Sequence, residues 1–143
     1  MKNKLIISSL LLSLSVASVA KDSLVTFDFN AALQKGYAEG ILDKNITFKL
    51  KGQPHKSIKK VFSDYKSNKK TRGAGRSNED SCAWAMLSAL KAFQDRAHSL
   101  GANAVVDIVS NYKNHEFISS KEYQCGAGFL MSGVALKAKV VNL

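Results

Sequence analysis

The stretch EDSCAWAMLSALKAFQDRAHSLG, residues 79–101, decides the fold because it carries the strongest periodicity in the chain. Ser77 with Asp80 resembles a capping pair at its start, and Gly101 suits the left-handed position that follows a helix end. Its apolar residues recur at the spacing that places them on one side of a helix, in a single stripe (Met86, Leu90, Phe93, Ala97, Leu100). The sequence therefore predicts a long helix over about residues 79–100 with one buried face.

The segments before this helix predict strands and a short helix. Residues 24–29 and 46–51 are rich in β-branched and aromatic side chains, and residues 58–65 form a weaker strand candidate. Asn30 is the predicted N-cap of a short helix that ends near Ile41.

The segments after the long helix predict two strands that pair antiparallel, residues 103–112 and 128–141. The connection over residues 113–127 is polar and long for a hairpin, so it either extends the strands or forms an ordered loop. One apolar face is predicted on each strand, with Lys137 and Lys139 pointing away from the second face (first face Ala104, Val106, Ile108 and Tyr112; second face Leu130, Val134, Leu136, Ala138 and Val140).

Together these elements predict an α+β fold in a single small domain over residues 21–143. The predicted architecture is a mainly antiparallel or mixed sheet packed against one long helix (about residues 79–100), plus a short N-terminal helix. A chain of this length can bury one hydrophobic core.

Residues 1–20 show the three-part pattern of a secretory signal peptide. Lys2 and Lys4 precede an apolar stretch over residues 5–16, and small side chains stand at Ser18 and Ala20. The apolar stretch is short for a membrane anchor, which needs about 20 apolar residues. We expect cleavage after Ala20, no transmembrane segment in the mature chain, and a periplasmic or secreted location.

Cys82 and Cys125 are the two cysteines of the chain. An even cysteine count in an exported protein favours a disulfide between them. Two alternatives stay open at this point. Cys82 lies near a helix N-terminus and could do redox chemistry, or both thiols could bind a metal together with His55, His98 or His115.

The glycine-containing segment before the helix raises the possibility of a phosphate-binding loop. A P-loop needs G-x-x-x-x-G-K-[ST] after a buried apolar strand. Here a single residue separates Gly73 from Gly75, Arg76 replaces the lysine, and the preceding residues are polar and basic. The sequence therefore predicts a charged linker, and nucleotide catalysis is not expected.

The chain is strongly basic, with 21 Lys and Arg against 11 Asp and Glu. Residues 49–76 contain ten of these cations and one acid, Asp64. This basic segment is either a solvated surface or an anion-binding surface for an anionic envelope lipid, a glycan or an acidic protein; nucleic acid is not expected outside the cytoplasm. Trp84 is either covered by this segment or exposed for a partner. The candidate anion-binding residues are Lys59, Lys60, Lys66, Lys69, Lys70, Arg72 and Arg76.

Several stretches carry a resemblance to known proteins. RAHSLGANAVVDI (residues 96–108) resembles the helix-to-strand turn of YbjQ-like and RcsF-like α/β domains. With SNEDSCAW (residues 77–84), EYQCGAG (122–128) and SGVALK (132–137), the chain is similar to small exported proteobacterial proteins of unknown function that often carry the label "excinuclease ATPase subunit". The resemblance implies a compact α+β domain with paired cysteines and gives no catalytic residues. YbjQ-like domains imply ring-shaped oligomers and a proposed metal-binding role, and RcsF implies an envelope stress sensor with disulfides.

No catalytic constellation, cofactor motif or metal motif stands out in the sequence. The nearest polar cluster is Asp107 with His115 and Glu116, and a strand-end surface explains it equally well. Excinuclease or ATPase activity is not expected, because Walker and zinc-binding motifs are missing. The sequence thus predicts an exported, non-enzymatic binding or envelope-associated module. The alternative is a metal- or redox-related envelope protein that uses Cys82 and Cys125, and homo-oligomer formation stays open.

Overall fold

The computed structural model describes residues 23–143, and the predicted signal segment over residues 1–20 lies outside the described residues. Two helices and seven strands follow one another along the described chain. Their bounds are β1 Ser23–Asp28, α1 Phe29–Ala38, β2 Thr47–Leu50, β3 Lys60–Arg72, α2 Asn78–Leu100, β4 Ala104–Tyr112, β5 His115–Phe117, β6 Glu122–Ala127 and β7 Met131–Asn142.

Strand β7 is the centre of the sheet. Strand β3 pairs antiparallel with β7 along nearly its whole length, from Lys60 opposite Asn142 to Arg72 opposite Met131. The other side of β7 pairs antiparallel with β4 and, near its start, with β6. Strand β1 extends the sheet beyond β6, and β2 pairs parallel with β4. The predicted antiparallel pairing of the strands that follow the long helix, β4 and β7, is confirmed.

The predicted architecture, a sheet packed against one long helix, is wrong. Strands make up 44% and helices 27% of the described residues, in a curled, mixed seven-stranded sheet with two helices. Two segments account for the difference. The weak strand candidate over residues 58–65 overlaps the start of β3, which begins at Lys60 and runs for 13 residues. The polar connection over residues 113–127 extends the strands as β5 and β6. Helices and strands are thus combined in an alpha+beta fold, but the sheet dominates it.

Helix α2 supplies much of the core. Met86, Leu90, Phe93 and Ala97 are buried as predicted, and Leu100 is half-buried. No helix in residues 23–143 is long and apolar enough to cross a membrane.

The ends of the two helices follow local hydrogen-bond chemistry. Ser77 caps α2, because its Oγ accepts a hydrogen bond from the backbone N–H of Asp80 at 3.1 Å, and Gly101 ends the helix with a left-handed φ of 70°. Helix α1 is capped by Asp28, whose Oδ1 accepts from the N–H of Ala31 at 2.7 Å. The prediction of Asn30 as its N-cap is therefore wrong by two residues.

A β-bulge in β4 changes which side chains face the core. Asp107 has a φ of 51°, and the pairing of β4 with β7 shifts between Val106 and Val109. Val105 and Ile108 therefore both enter the main core, while Ala104 and Val106 pack with Val141 in a separate small cluster. The prediction that Ala104, Val106 and Ile108 share a face is wrong, because a bulge interrupts the two-residue alternation of a strand.

The predicted apolar face of β7 is correct except at its start. Val134, Leu136, Ala138 and Val140 belong to the main core. Leu130 precedes the strand and is 66% exposed, at the tip of the hairpin between β6 and β7.

Candidate functional site

Residues 60–72 of the basic segment form the edge strand β3, whose two faces carry different side chains. Within the described chain, β3 pairs with β7 alone. Residues directly opposite each other in an antiparallel pair lie on the same face of the sheet. Ser67 and Lys69 lie opposite the core residues Leu136 and Val134, so they face α2. The residues that alternate with them along β3, among them Lys66, face outward.

Three candidate anion-binding residues share the outward face of β3: Lys66, Lys70 and Arg72. All three are exposed, and none forms an ion pair with any residue in the range 23–143. At about 3.3 Å per residue, the row from Lys66 to Arg72 spans roughly 20 Å. We call these three residues the basic row.

The other four candidates lie elsewhere. Lys69 is next to Lys70 in sequence but faces α2. Lys59 and Lys60 lie at the far end of β3, where Lys60 Nζ sits 4.6 Å from the ring centroid of Phe62. Arg76 lies in the turn before α2, with its Nε 3.9 Å from Asp80 Oδ2. The structure thus brings three of the seven candidates together and separates the rest.

Two lysines beside the basic row belong to β7 and were not among the candidates. Lys137 lies opposite Lys66, and its Nζ contacts Glu116 Oε1 at 2.6 Å. This hydrogen bond and the lysine charge lower the pKa of the Glu116 carboxyl. Lys139 Nζ lies 3.7 Å from Asp107 Oδ2. Each β7 lysine is therefore compensated by a carboxylate.

These ion pairs border a shallow depression of about 300 Å³ on the outer face of the sheet. Asp107 and Glu116 line it, whereas His115 does not, so the polar cluster noted in the sequence is divided. Lys66 lies at the same depression, and Lys70 and Arg72 continue the row beyond it.

Trp84 is half-buried on α2 beside the basic segment. Lys35 of α1 places its Nζ 4.9 Å from the Trp84 ring centroid. Trp84 lines a surface groove together with Lys69 and Lys70 of β3, so β3 and α1 both flank the indole. Trp84 also packs against the core, so its position in the structure is explained without a binding partner.

The predicted disulfide between Cys82 and Cys125 is confirmed. It joins the N-terminal part of α2 to β6, and both cysteines are 0% exposed. Thiol–disulfide exchange needs direct access of an attacking thiolate to a sulfur, so this burial favours a structural role.

The three histidines lie at different places in the fold. His98 Nε2 is 3.2 Å from Asp43 Oδ2, His115 pairs with Tyr112 in the β4–β5 hairpin, and His55 Nδ1 is 2.7 Å from the carbonyl of Lys56. Residues 23–143 contain no group of three or more His, Cys, Asp or Glu side chains that could hold a metal ion.

The glycine-containing turn serves the strand and the helix on either side of it. A strand precedes Gly73, but β3 is polar and lies at an edge of the sheet, so it is not the buried apolar strand that a P-loop needs. The N–H of Gly73 donates to the carbonyl of Leu130 at 2.8 Å, and the N–H of Arg76 donates to the carbonyl of Gly73 at 3.1 Å. Because these donors are already used inside the protein, the turn is not arranged as a phosphate cradle.

Comparisons with protein-family models, curated proteins and solved structures found no match to this chain. The assignment of a function therefore depends on the surface and the core described above.

Proposed function

We propose that this chain is an exported, non-enzymatic binding module that holds anionic groups of the cell envelope on its basic row. The observation that carries the proposal is that Lys66, Lys70 and Arg72 share one exposed face without a carboxylate partner in the described chain. The buried disulfide supports an oxidising location. The predicted signal peptide points to the same location.

The spacing of the basic row suits a polymer or a surface with repeated negative charges. Lys70 and Arg72 are two residues apart on one strand face, so their side chains start about 7 Å from each other. This separation is shorter than the screening length of about 8 Å at physiological ionic strength. A polyanion bearing phosphate or sulfate groups can contact several of these cations together.

The experiment measures retention of the exported protein on an immobilised sulfated polyanion as salt increases. A cation near an anionic surface contributes about 1 kcal/mol, so the triple variant Lys66→Gln/Lys70→Gln/Arg72→Gln is expected to bind roughly 100-fold more weakly. The matched control removes three lysines elsewhere on the surface (Lys44, Lys56 and Lys121). If both triple variants lose the same affinity, net charge explains the binding, and the basic row has no special role.

The alternative of a redox-related envelope protein is less well supported. A partner thiol must reach a redox disulfide, whereas Cys82 on α2 and Cys125 on β6 are fully buried in the core between the helix and the sheet. Thiol labelling of the folded protein in a mild reductant tests this alternative. Rapid reduction without unfolding would favour it over a structural disulfide.

A further inference from the structure

The β6–β7 hairpin ends in an exposed apolar tip. Phe129 is 79% exposed, Leu130 66% and Met131 46%. The N–H of Gly128 donates to the carbonyl of Met131 at 3.0 Å, which leaves Phe129 and Leu130 as the two residues of the turn. We call Phe129, Leu130 and Met131 the apolar tip.

Turn geometry does not explain these residue types. Two-residue hairpin turns favour Gly, Asn and Asp, which adopt positive φ with little strain. The β4–β5 hairpin follows this rule in part, with φ of 50° at Lys113 and 63° at Asn114. At the apolar tip, Phe129 and Leu130 are not at positive φ, so the backbone of this turn accepts most residue types and does not require large hydrophobic ones. Such exposed apolar groups are typical of an interaction surface.

The apolar tip is held in place by the end of β3. The hydrogen bond from Gly73 to Leu130 joins the two segments, and a Cβ on Gly73 would lie 2.8 Å from the carbonyl oxygen of Gly128. Backbone packing this close keeps the tip at the end of the sheet, so its side chains stay available for a partner.

Two cations of β3 lie beside the base of the apolar tip. Arg72 lies directly opposite Met131, and Lys70 lies opposite Gly133. The sequence has no acid in residues 68–76 or 126–134. The apolar tip and two residues of the basic row, Lys70 and Arg72, therefore lie together at one end of the sheet, with the cations next to the hydrophobic side chains.

We propose that the apolar tip enters the interface of an anionic lipid membrane while Lys70 and Arg72 contact the headgroup phosphates. This inference rests on the proposed function and names its ligand as a lipid surface. The two features complement such a membrane at two depths, because anionic headgroups lie at its surface, where the cations would be, and apolar chains lie just below, where the tip would be. One such feature alone gives weak membrane binding, and two together give stable binding. Here the two features are a hydrophobic insertion and a basic patch.

The test uses protein purified from the extracytoplasmic fraction, with its N-terminus established by intact mass. Co-sedimentation is measured with phosphatidylcholine vesicles and with vesicles that also contain phosphatidylglycerol. The double variant Phe129→Ser/Leu130→Ser is expected to bind the mixed vesicles at least about tenfold more weakly, because two apolar side chains no longer leave water. Pure phosphatidylcholine should bind all proteins weakly.

The matched control is Val61→Ser/Ile118→Ser, which removes two side chains that are 54% and 55% exposed away from the apolar tip. It should bind the mixed vesicles like the wild type. A second measurement places an indole at the tip by Phe129→Trp. Brominated lipid should quench this variant more strongly than the wild type, which has Trp84 alone.

The outcomes separate this inference from the proposed function. If the tip variant keeps full vesicle binding while the basic-row variant loses it, membrane insertion is wrong and anion binding stands. If the tip variant instead changes the oligomeric state and vesicle binding is unaffected, the tip contacts a second copy, which also overturns the inference. If the basic-row variant keeps full polyanion and vesicle binding, the proposed function fails, whatever the tip variant does.

Discussion

Removing the disulfide should cost the protein a large part of its stability. The double variant Cys82→Ala/Cys125→Ala opens a cross-link between residues 43 apart in sequence. In the chain-entropy account, closing a loop of this length disfavours the unfolded chain by about 4 kcal/mol at 25 °C. Both sulfurs are buried, so their removal also takes packing atoms out of the core. We therefore expect a loss of at least about 4 kcal/mol.

The assay is equilibrium unfolding in urea and in heat, with the oxidised wild type as reference. For a domain of this size, the expected loss corresponds to a fall in Tm of roughly 12–20 °C. The slope of the urea transition should also rise, because the unfolded chain without its cross-link exposes more surface. A loss below about 1 kcal/mol would refute the reasoning, since it would mean that the unfolded chain gains little freedom when the bond is absent.

Three further predictions concern single positions. Gly126→Ala should lower the free energy of unfolding by about 1–3 kcal/mol, because its Cβ would overlap the Tyr112 ring; Gly126→Ala combined with Tyr112→Leu should recover part of this loss in a urea titration. Ser67→Ala should leave stability unchanged or raise it by up to about 1 kcal/mol, because the buried Ser67 Oγ has no hydrogen-bond partner among residues 23–143; a clear loss by calorimetry would contradict this. The pKa of Glu116 is lowered in the folded state by its pairing with Lys137. This pairing therefore stabilises the protein at pH values above the ordinary glutamate pKa of 4.5, and the stabilisation is lost as the pH falls through the lower pKa of the folded state. The stabilities of the wild type and Glu116→Gln should therefore converge in acid, and a difference that persists at low pH would contradict the assignment.

Helix α2 and the disulfide could be predicted because their signals are local and strong. The apolar stripe repeats over a 23-residue helix, and both ends carry capping residues that act within a few positions. The cysteine pairing follows from a count of two and the expected export. Neither inference needs to know which strands are neighbours.

Strand β3 was underestimated because its sequence has almost none of the usual strand signal. Residues 66–70 are Lys, Ser, Asn, Lys and Lys, which have low strand propensity. They lie in a strand because β7 pairs with β3 over twelve positions and α2 covers one face of it. Pairing with a neighbour outweighs local propensity here, and the neighbour is more than 60 residues away in sequence.

The sequence predicts where positive charge is concentrated, but it does not predict how the cations are arranged in space. Ten cations in residues 49–76 are visible in the sequence, whereas the faces they occupy depend on the register of β3 against β7. Lys69 and Lys70 are neighbours in sequence and point to opposite faces. The bulge at Asp107 is a similar case, because nothing in the alternation of β4 marks the extra residue.

The sequence does not predict the apolar tip, because Leu130 lies an even number of residues from the side chains of β7 in the main core and so continues their alternation. Two-residue alternation assigns it to the core, yet the hairpin turn comes before the strand and leaves it in solvent. The tip is also linked to the disulfide, since Cys125 lies in β6 only three residues before Gly128. The bond fixes β6 against α2, while Gly73 fixes the turn against the end of β3. The disulfide thus anchors one strand of the hairpin that carries the proposed membrane contact, so the fixed position of the apolar tip depends on this bond.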